Sequence, residues 1–282
     1  MIPQAEIISW RNIAPWGSFD QVEHDLVISR AICELYKHPI IKKNLVFRGG
    51  TALHKLFFDK AGRFSEDLDF VQAKAEPIGE TVDAIRECLD HWLGKPTWKQ
   101  NQGRFTLSYR FQTEIEPVIN RKVKIEINTR EHANAQSHQI KVFSVKNRWF
   151  EGQSEILTYC IEELLATKMR ALFQRKKGRD LYDFWYVVQK YSNLNIDTII
   201  SNFEHYMQMD DIKISRAEFE QNIISKQKDV VFNRDIQPLL SNDQVKQYEL
   251  NNAYDIILNQ FIAKMKGESW QGINNVNSNI TE

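Results

Sequence analysis

Three acids occupy four residues in the run Arg63-Phe64-Ser65-Glu66-Asp67-Leu68-Asp69-Phe70. In an extended strand alternate side chains share a face, so Asp67 and Asp69 point together while Leu68 and Phe70 face a core. Two carboxylates side by side repel, and one resists ionisation unless a cation lies between them. Oxygen-only donors suit Mg²⁺ or Mn²⁺, and Mg²⁺ commonly takes one or two carboxylates plus substrate phosphates. The same run also reads as a solvated strand end or turn. A third acid, Glu126, lies in Lys122-Val123-Lys124-Ile125-Glu126-Ile127-Asn128, which alternates with strict period 2. Paired beside the first strand, Glu126 would join the carboxylates, to ligate the metal or to take a proton from an attacking hydroxyl. Paired elsewhere, it is one polar residue on a half-wet strand.

Phosphate chemistry is suggested at two further places. In Phe47-Arg48-Gly49-Gly50-Thr51, two glycines between a strand and a helix permit close backbone approach, and a helix start presents free N–H groups to phosphate oxygens. A plain tight turn needs the same glycines. Farther on, a helix expected from about Thr158 to Lys177 carries Ile161, Leu165 and Leu172 on one face, with Lys168 inside that apolar stripe and Arg175 on the same side. A lysine there is costly without a compensating anion. A bound phosphate, a core acid or a wet, snorkelling head group would each satisfy it. The basic run Arg175-Lys176-Lys177-Gly178-Arg179 closes this helix. Asp180 and Asp183 then have the spacing of an N-cap and an N3 acid for a helix from Leu181 to Tyr191, which would account for both without catalysis.

The elements that would hold these groups follow from periodicity. Helical spacing predicts helices over 18–38 and 80–93 and one beginning at Thr51 with its hydroxyl as N-cap. Strands are predicted at 45–47, 68–71, 104–115 and 122–128, and a helical pattern from about 156 onward. The fold class is therefore α+β, a mixed sheet followed by an α-helical carboxy-terminal part. The expected limits are 1–150 for the first domain, 151–270 for the helical one, and a fraying Asn/Ser/Gly-rich tail over 271–282.

Composition narrows the class of protein. The 282 residues carry 37 Lys+Arg against 37 Asp+Glu, so an all-over cationic nucleic-acid coat is excluded and any such contact must be local. Cys33, Cys88 and Cys160 have neither disulfide-framework nor zinc-ligand spacing, which fits a reducing compartment. No apolar stretch approaches the ~18 residues of a membrane span. A cytoplasmic protein with no membrane partner is expected.

Taken together, Gly49-Gly50-Thr51-Ala52-Leu53, the Arg63 to Phe70 run, the Ile125-Glu126-Ile127 strand and the stretch Lys168 to Asp183 resemble the AbiEii-type toxin nucleotidyltransferases. That family lies in the polymerase-β-like nucleotidyltransferase superfamily and supplies the toxins of type IV toxin/antitoxin and abortive-infection systems. The likeness spans roughly residues 40 to 190. It implies a polymerase-β-like domain in which Gly49, Gly50 and Thr51 hold the triphosphate, and Asp67 and Asp69 ligate Mg²⁺ (or Mn²⁺). Arg63 and Ser65 match the Arg-x-Ser before the acids, and Lys168 and Arg175 the phosphate-contacting cations. Asp180 matches the acid that follows. Glu126 departs from the superfamily's more usual Asp. The resemblance further implies an NTP donor, an RNA acceptor, most simply the tRNA 3′ end, gripped by Arg170 and the basics at 175–179, and a cognate antitoxin. Two alternatives stay open: kinase-like phosphoryl transfer to a protein or nucleotide, and a non-catalytic RNA- or partner-binding module. An acidic site facing a basic cluster across one cleft would reconcile zero net charge with an RNA partner.

Overall fold

Strand alternation, carried into tertiary structure, builds a seven-stranded mixed sheet in the order β3-β4-β5-β2-β1-β7-β6. The computed structural model describes residues 2–272. Its elements begin with α1 (Gln4–Trp10), α2 (Phe19–Leu35), α3 (Pro39–Asn44), β1 (Leu45–Arg48), α4 (Gly49–Leu56), β2 (Asp67–Gln72) and α5 (Gly79–Leu93). The strands β3 (Thr97–Asn101), β4 (Arg104–Gln112), β5 (Asn120–Asn128), β6 (Gln139–Lys146) and β7 (Glu151–Thr158) follow. Helices α6 (Ile161–Gln174), α7 (Gly178–Lys190), α8 (Ile196–Met209), α9 (Arg216–Gln227), α10 (Val230–Arg234), α11 (Asn242–Gln247) and α12 (Leu250–Asp255) come next, and a π-helical turn, Ile256–Phe261, continues α12. Two compact units result: the residues up to Leu164 with Pro238–Lys246, and Leu165–Gln237 with the residues from Gln247 onward.

In the first unit β2 is central. It runs antiparallel to β1 and parallel to β5, with Asp69 opposite Arg48 on one side and Glu126 on the other. The apolar face of these strands is fully buried: Phe47, Leu68, Ile125, Leu107 and Tyr109 are each at most 1% exposed. Phe47 and Phe70 pack with ring centroids 5.1 Å apart. Helix α2 lies against β5, β6 and β7, and α5 against β4. The other face keeps the polar side chains, as β2 and β5 demand by alternation.

Several expectations shift. Strand β7 belongs to the sheet, so sheet structure continues past the boundary expected near 150, and residues 238–246 return to the first unit. Strands β3, β6 and β7 were not expected: all of β3 is exposed, and although β6 and β7 alternate in burial, the outer face of β6 carries Ile140 and Val142, 62% and 63% exposed. Helix α4 starts two residues before Thr51, with Arg48 as N-cap, because Gly49 adopts φ +79° and lets the chain turn directly from β1 into the helix. Helix α7 likewise starts at Gly178 with Lys177 as N-cap, so Asp180 lies inside the first turn and caps nothing. The tail expected over 271–282 lies, from residue 273 on, outside the described residues.

In the second unit the core forms around α6 and α7. Leu165, Met169, Leu172, Leu181 and Phe184 are completely buried, and Phe184 meets Phe261 edge-on at 4.9 Å. Helix α9 is held at its start by a capping box, Ser215 with Glu218, and Phe219 meets Phe173 edge-on at 5.2 Å.

Candidate active site

The carboxylates of Asp67 and Asp69 emerge together on the polar face at the start of β2, both partly exposed, while Leu68 between them is buried. The chain around them is fitted to Asp69: a Cβ on Gly49 would meet Asp69 Oδ2 at 2.5 Å, so only a glycine admits that carboxylate to the turn. A Cβ on Gly50 would run into the Arg63 guanidinium, which is buried beneath it and donates to the Phe64 carbonyl at 3.1 Å. Thr51 is fully buried. Its hydroxyl donates to the Asp67 carbonyl at 2.5 Å and shares a 2.7 Å hydrogen bond with the Ser65 hydroxyl. Arg63, Ser65 and Thr51 therefore fasten the glycine turn and α4 to the strand that bears the acids.

Parallel pairing of β2 with β5 brings the third expected acid alongside. Glu126 is the register partner of Asp69, and Lys124 that of Asp67. Glu126 is ion-paired with Lys124 and with Arg104, the latter at 3.3 Å. Among the described residues no three His, Cys, Asp or Glu side chains cluster closely enough to hold a metal. The donor set thus matches an ion bound by two carboxylates and completed by substrate oxygens, as Mg²⁺ commonly is, better than a three-acid cage. Burial, reinforced by Asp69 and by Glu126 and Glu66 against the opposing pull of Lys124, pushes the Asp67 carboxyl up to about 6. A carboxyl so poised gains from a cation beside it. On Arg48, burial acts to lower the pKa, but Tyr159, Glu131 and Asp69 outweigh it and raise it. Arg48 binds Glu131 at 2.8 Å. Arg48 and Lys124 are site residues that strand alternation could have flagged, since each shares the polar face with the acids, but only the sheet register makes them neighbours.

In the second unit the structure brings Lys168, Arg175 and Asp180 together with Asp183. The Lys168 ammonium sits 3.2 Å from Asp180 Oδ1 and 2.8 Å from Asp183 Oδ2, and both carboxylates are fully buried. Arg175 reaches Asp180 through Nε at 2.7 Å and Nη2 at 2.9 Å. Burial alone would raise the Asp180 carboxyl, yet Lys168 and Arg175 outweigh it and hold it below its ordinary value. The anion that the apolar stripe demanded for Lys168 is thus supplied within the unit. Much of the basic run is compensated too: Lys176 pairs with Asp229 at 3.2 Å and Lys177 with Asp235 at 3.6 Å, and before the run Arg170 pairs with Asp210 at 3.4 Å and lies over the Tyr206 ring.

A strand-borne carboxylate pair beside a glycine turn that opens a helix, in a mixed sheet, defines a fold and site of the nucleotidyltransferase class. The family model described as "Nucleotidyl transferase AbiEii toxin, Type IV TA system" matches residues 30–259, and the chain belongs to that family. It is accordingly a nucleotidyltransferase of the toxin type. Type IV toxin/antitoxin systems imply a nucleotide substrate and a cognate antitoxin, and nucleotidyltransferases of this kind generally use divalent metal ions. Among solved structures the fold is similar to MenT4, a nucleotidyltransferase toxin from Mycobacterium tuberculosis H37Rv, with TM-score 0.68 and 17% identity over 95% of this chain and 91% of that one. An antigenic nucleotidyltransferase-like protein from Paracoccidioides brasiliensis matches with TM-score 0.39 and 14% identity over 64% of this chain and 88% of that one. No curated protein matches the sequence. Among the described residues no helix is long and apolar enough to cross a membrane.

Proposed function

We propose that the chain transfers a nucleoside monophosphate from an NTP to the 3′ end of an RNA, most simply a tRNA, with Mg²⁺ (or Mn²⁺) held by Asp67 and Asp69. The observation that carries this reading is the side-by-side placement of the two carboxylates, Asp69 against Gly49 and Asp67 raised by burial and by its acidic neighbours. When bound there, a divalent ion would offset the negative charge that gathers on the α-phosphate and the departing pyrophosphate. The glycine turn and the first N–H groups of α4 face the triphosphate, where the helix dipole favours negative charge. Glu126, oriented by Lys124 and Arg104, is the third acid, positioned one strand over to take the proton of the acceptor hydroxyl. Thr51, Ser65 and Arg63 keep the turn from shifting away from β2. Lys168, Arg175 and Asp180, which answer one another and Asp183 inside their own unit, are assigned to the stability of that unit.

The test is incubation of the full chain with total tRNA, Mg²⁺ and each α-³²P-labelled NTP in turn. Label should pass to RNA from at least one NTP, and Asp67→Ala or Asp69→Ala should abolish it with the fold intact by circular dichroism. Transfer of γ-label instead would make the enzyme a phosphoryl transferase. No transfer from any NTP, with RNA binding indifferent to Asp67→Asn and EDTA, would make it a binding module.

A further inference from the structure

Positive charge without an internal partner lies on the sheet of the first unit, away from the basic run at 175–179. Arg110 of β4 and Lys122 of β5 are register partners, directly opposite each other on the face that also carries Asp67 and Lys124. Both are exposed, and among the described residues neither side chain has a hydrogen-bond or ion-pair partner. Like charges directly opposite across an antiparallel pair are destabilising. An arrangement that costs stability next to a candidate catalytic strand is what an anion site looks like before its ligand arrives.

The same two residues line a cleft of about 510 Å³ together with Asp67, Asn120, Arg121 and His24. That volume lies within the range of pockets that hold small ligands. His24 is 1% exposed, and neither of its ring nitrogens has a hydrogen-bond partner among the described residues. Its ring is held edge-on by Phe64 and Phe111, with centroids 5.6 and 5.7 Å away, so it closes the floor of the cleft with its nitrogens buried beneath. Arg121 is occupied by Asp20 and by Glu66, the latter at 3.2 Å and the one further acid that lines the cleft. What remains is two free cations and an amide, opening beside Asp67.

We propose that this cleft binds the acceptor strand: the phosphodiester backbone of single-stranded RNA just before its 3′ end, with Arg110 and Lys122 on the phosphates and Asn120 hydrogen-bonding to a sugar or base edge. This rests on the transferase reading for the identity of the acceptor, and it assigns to the sheet the RNA grip that the sequence had suggested for residues 170–179. The free cations suit the charge of a phosphate backbone, and a cleft open at the start of β5 directs the strand's end toward Asp67.

The experiment is fluorescence anisotropy of a 5′-fluorescein-labelled single-stranded RNA 12-mer with the full chain, across a salt series, for wild type and for Arg110→Gln/Lys122→Gln. The double variant should bind at least about tenfold more weakly at 0.1 M salt. The slope of log K against log salt should become shallower by about 1.4, two contacts at roughly 0.7 each for a single strand. Its melting temperature should equal or exceed that of wild type, since opposed cations are removed. Unchanged RNA affinity and slope, no binding by wild type, or weakened binding of a fluorescent NTP analogue with RNA binding intact would each overturn the proposal. A chain that transfers no label yet shows the RNA loss refutes the transferase reading and keeps the cleft. A chain that transfers label with an unaltered KM for RNA in the double variant does the reverse.

Discussion

The acids of β2 and the acids of α7 are chemically alike and are treated in opposite ways. Asp180 and Asp183 are fully buried, yet Lys168 and Arg175 supply their counter-charge at 2.7 to 3.2 Å, and Asp180 is held below its ordinary pKa. Asp67 is only partly buried, yet its nearest neighbours include Asp69, Glu126 and Glu66, and its carboxyl is pushed up to about 6. Depth of burial therefore does not mark the site. Incomplete compensation does, because a charge left unbalanced inside the protein is available to an outside cation or substrate. By that measure the α6–α7 cluster stabilises its own unit and the β2 pair awaits a ligand.

The largest effects should separate the two regions most sharply. Asp69→Ala is expected to cut label transfer at least about 10³-fold, the worth of several kcal/mol of charge stabilisation, while leaving the denaturation midpoint unchanged or higher. Asp180→Ala should instead cost about 3–5 kcal/mol in chemical denaturation, because it strips a buried ion cluster of one partner. Lys168→Met tests the comparison most directly. With two buried carboxylates left facing no ammonium, a loss of about 3 kcal/mol is expected; a variant of wild-type stability whose transfer collapses would show Lys168 to be a phosphate ligand and would break the contrast. Next in size, Mg²⁺ at 100 times its dissociation constant should stabilise the wild type by about 2.7 kcal/mol in thermal melts and leave Asp67→Asn/Asp69→Asn unmoved. The smallest effect is that of pH. Because the folded-state pKa of Asp180 is depressed by Lys168 and Arg175, its contribution is present above the unfolded carboxylate value near 3.8 and is lost as pH falls below it. Denaturation of wild type between pH 5 and pH 2.5 should show that loss, and Asp180→Asn should flatten it.

Much of the site was legible beforehand, and the reasons differ from residue to residue. Alternation alone set Asp67 beside Asp69 and Glu126 on the same face as Lys124, and β2 and β5 carry that pattern in their burial. Gly49-Gly50 announced a turn, but Thr51 read as a helix cap turned out to fasten the turn to β2, since the positive φ of Gly49 lets α4 begin earlier. Strand β3 was not legible because it buries no side chain, and β7 because Ile156, Leu157 and the apolar run after it continue into the helical spacing of α6. Lys168 was rightly seen as a charge in an apolar stripe. Its partners stayed open between a helix cap and a site acid, because spacing of three residues fits a capping box and a buried acid equally well.

Residue order, then, was enough to state which side chains share a face and where the backbone must bend, because those depend on periods of 2 and 3.6 residues and on the freedom of glycine. It was not enough to say that β5 lies beside β2, that Arg110 opposes Lys122, or that α7 turns Asp180 and Asp183 onto Lys168. Those pairings join residues from 12 to 57 positions apart. They are chosen when the apolar faces close on one another, and that closure, which no local spacing records, is what sets charges side by side.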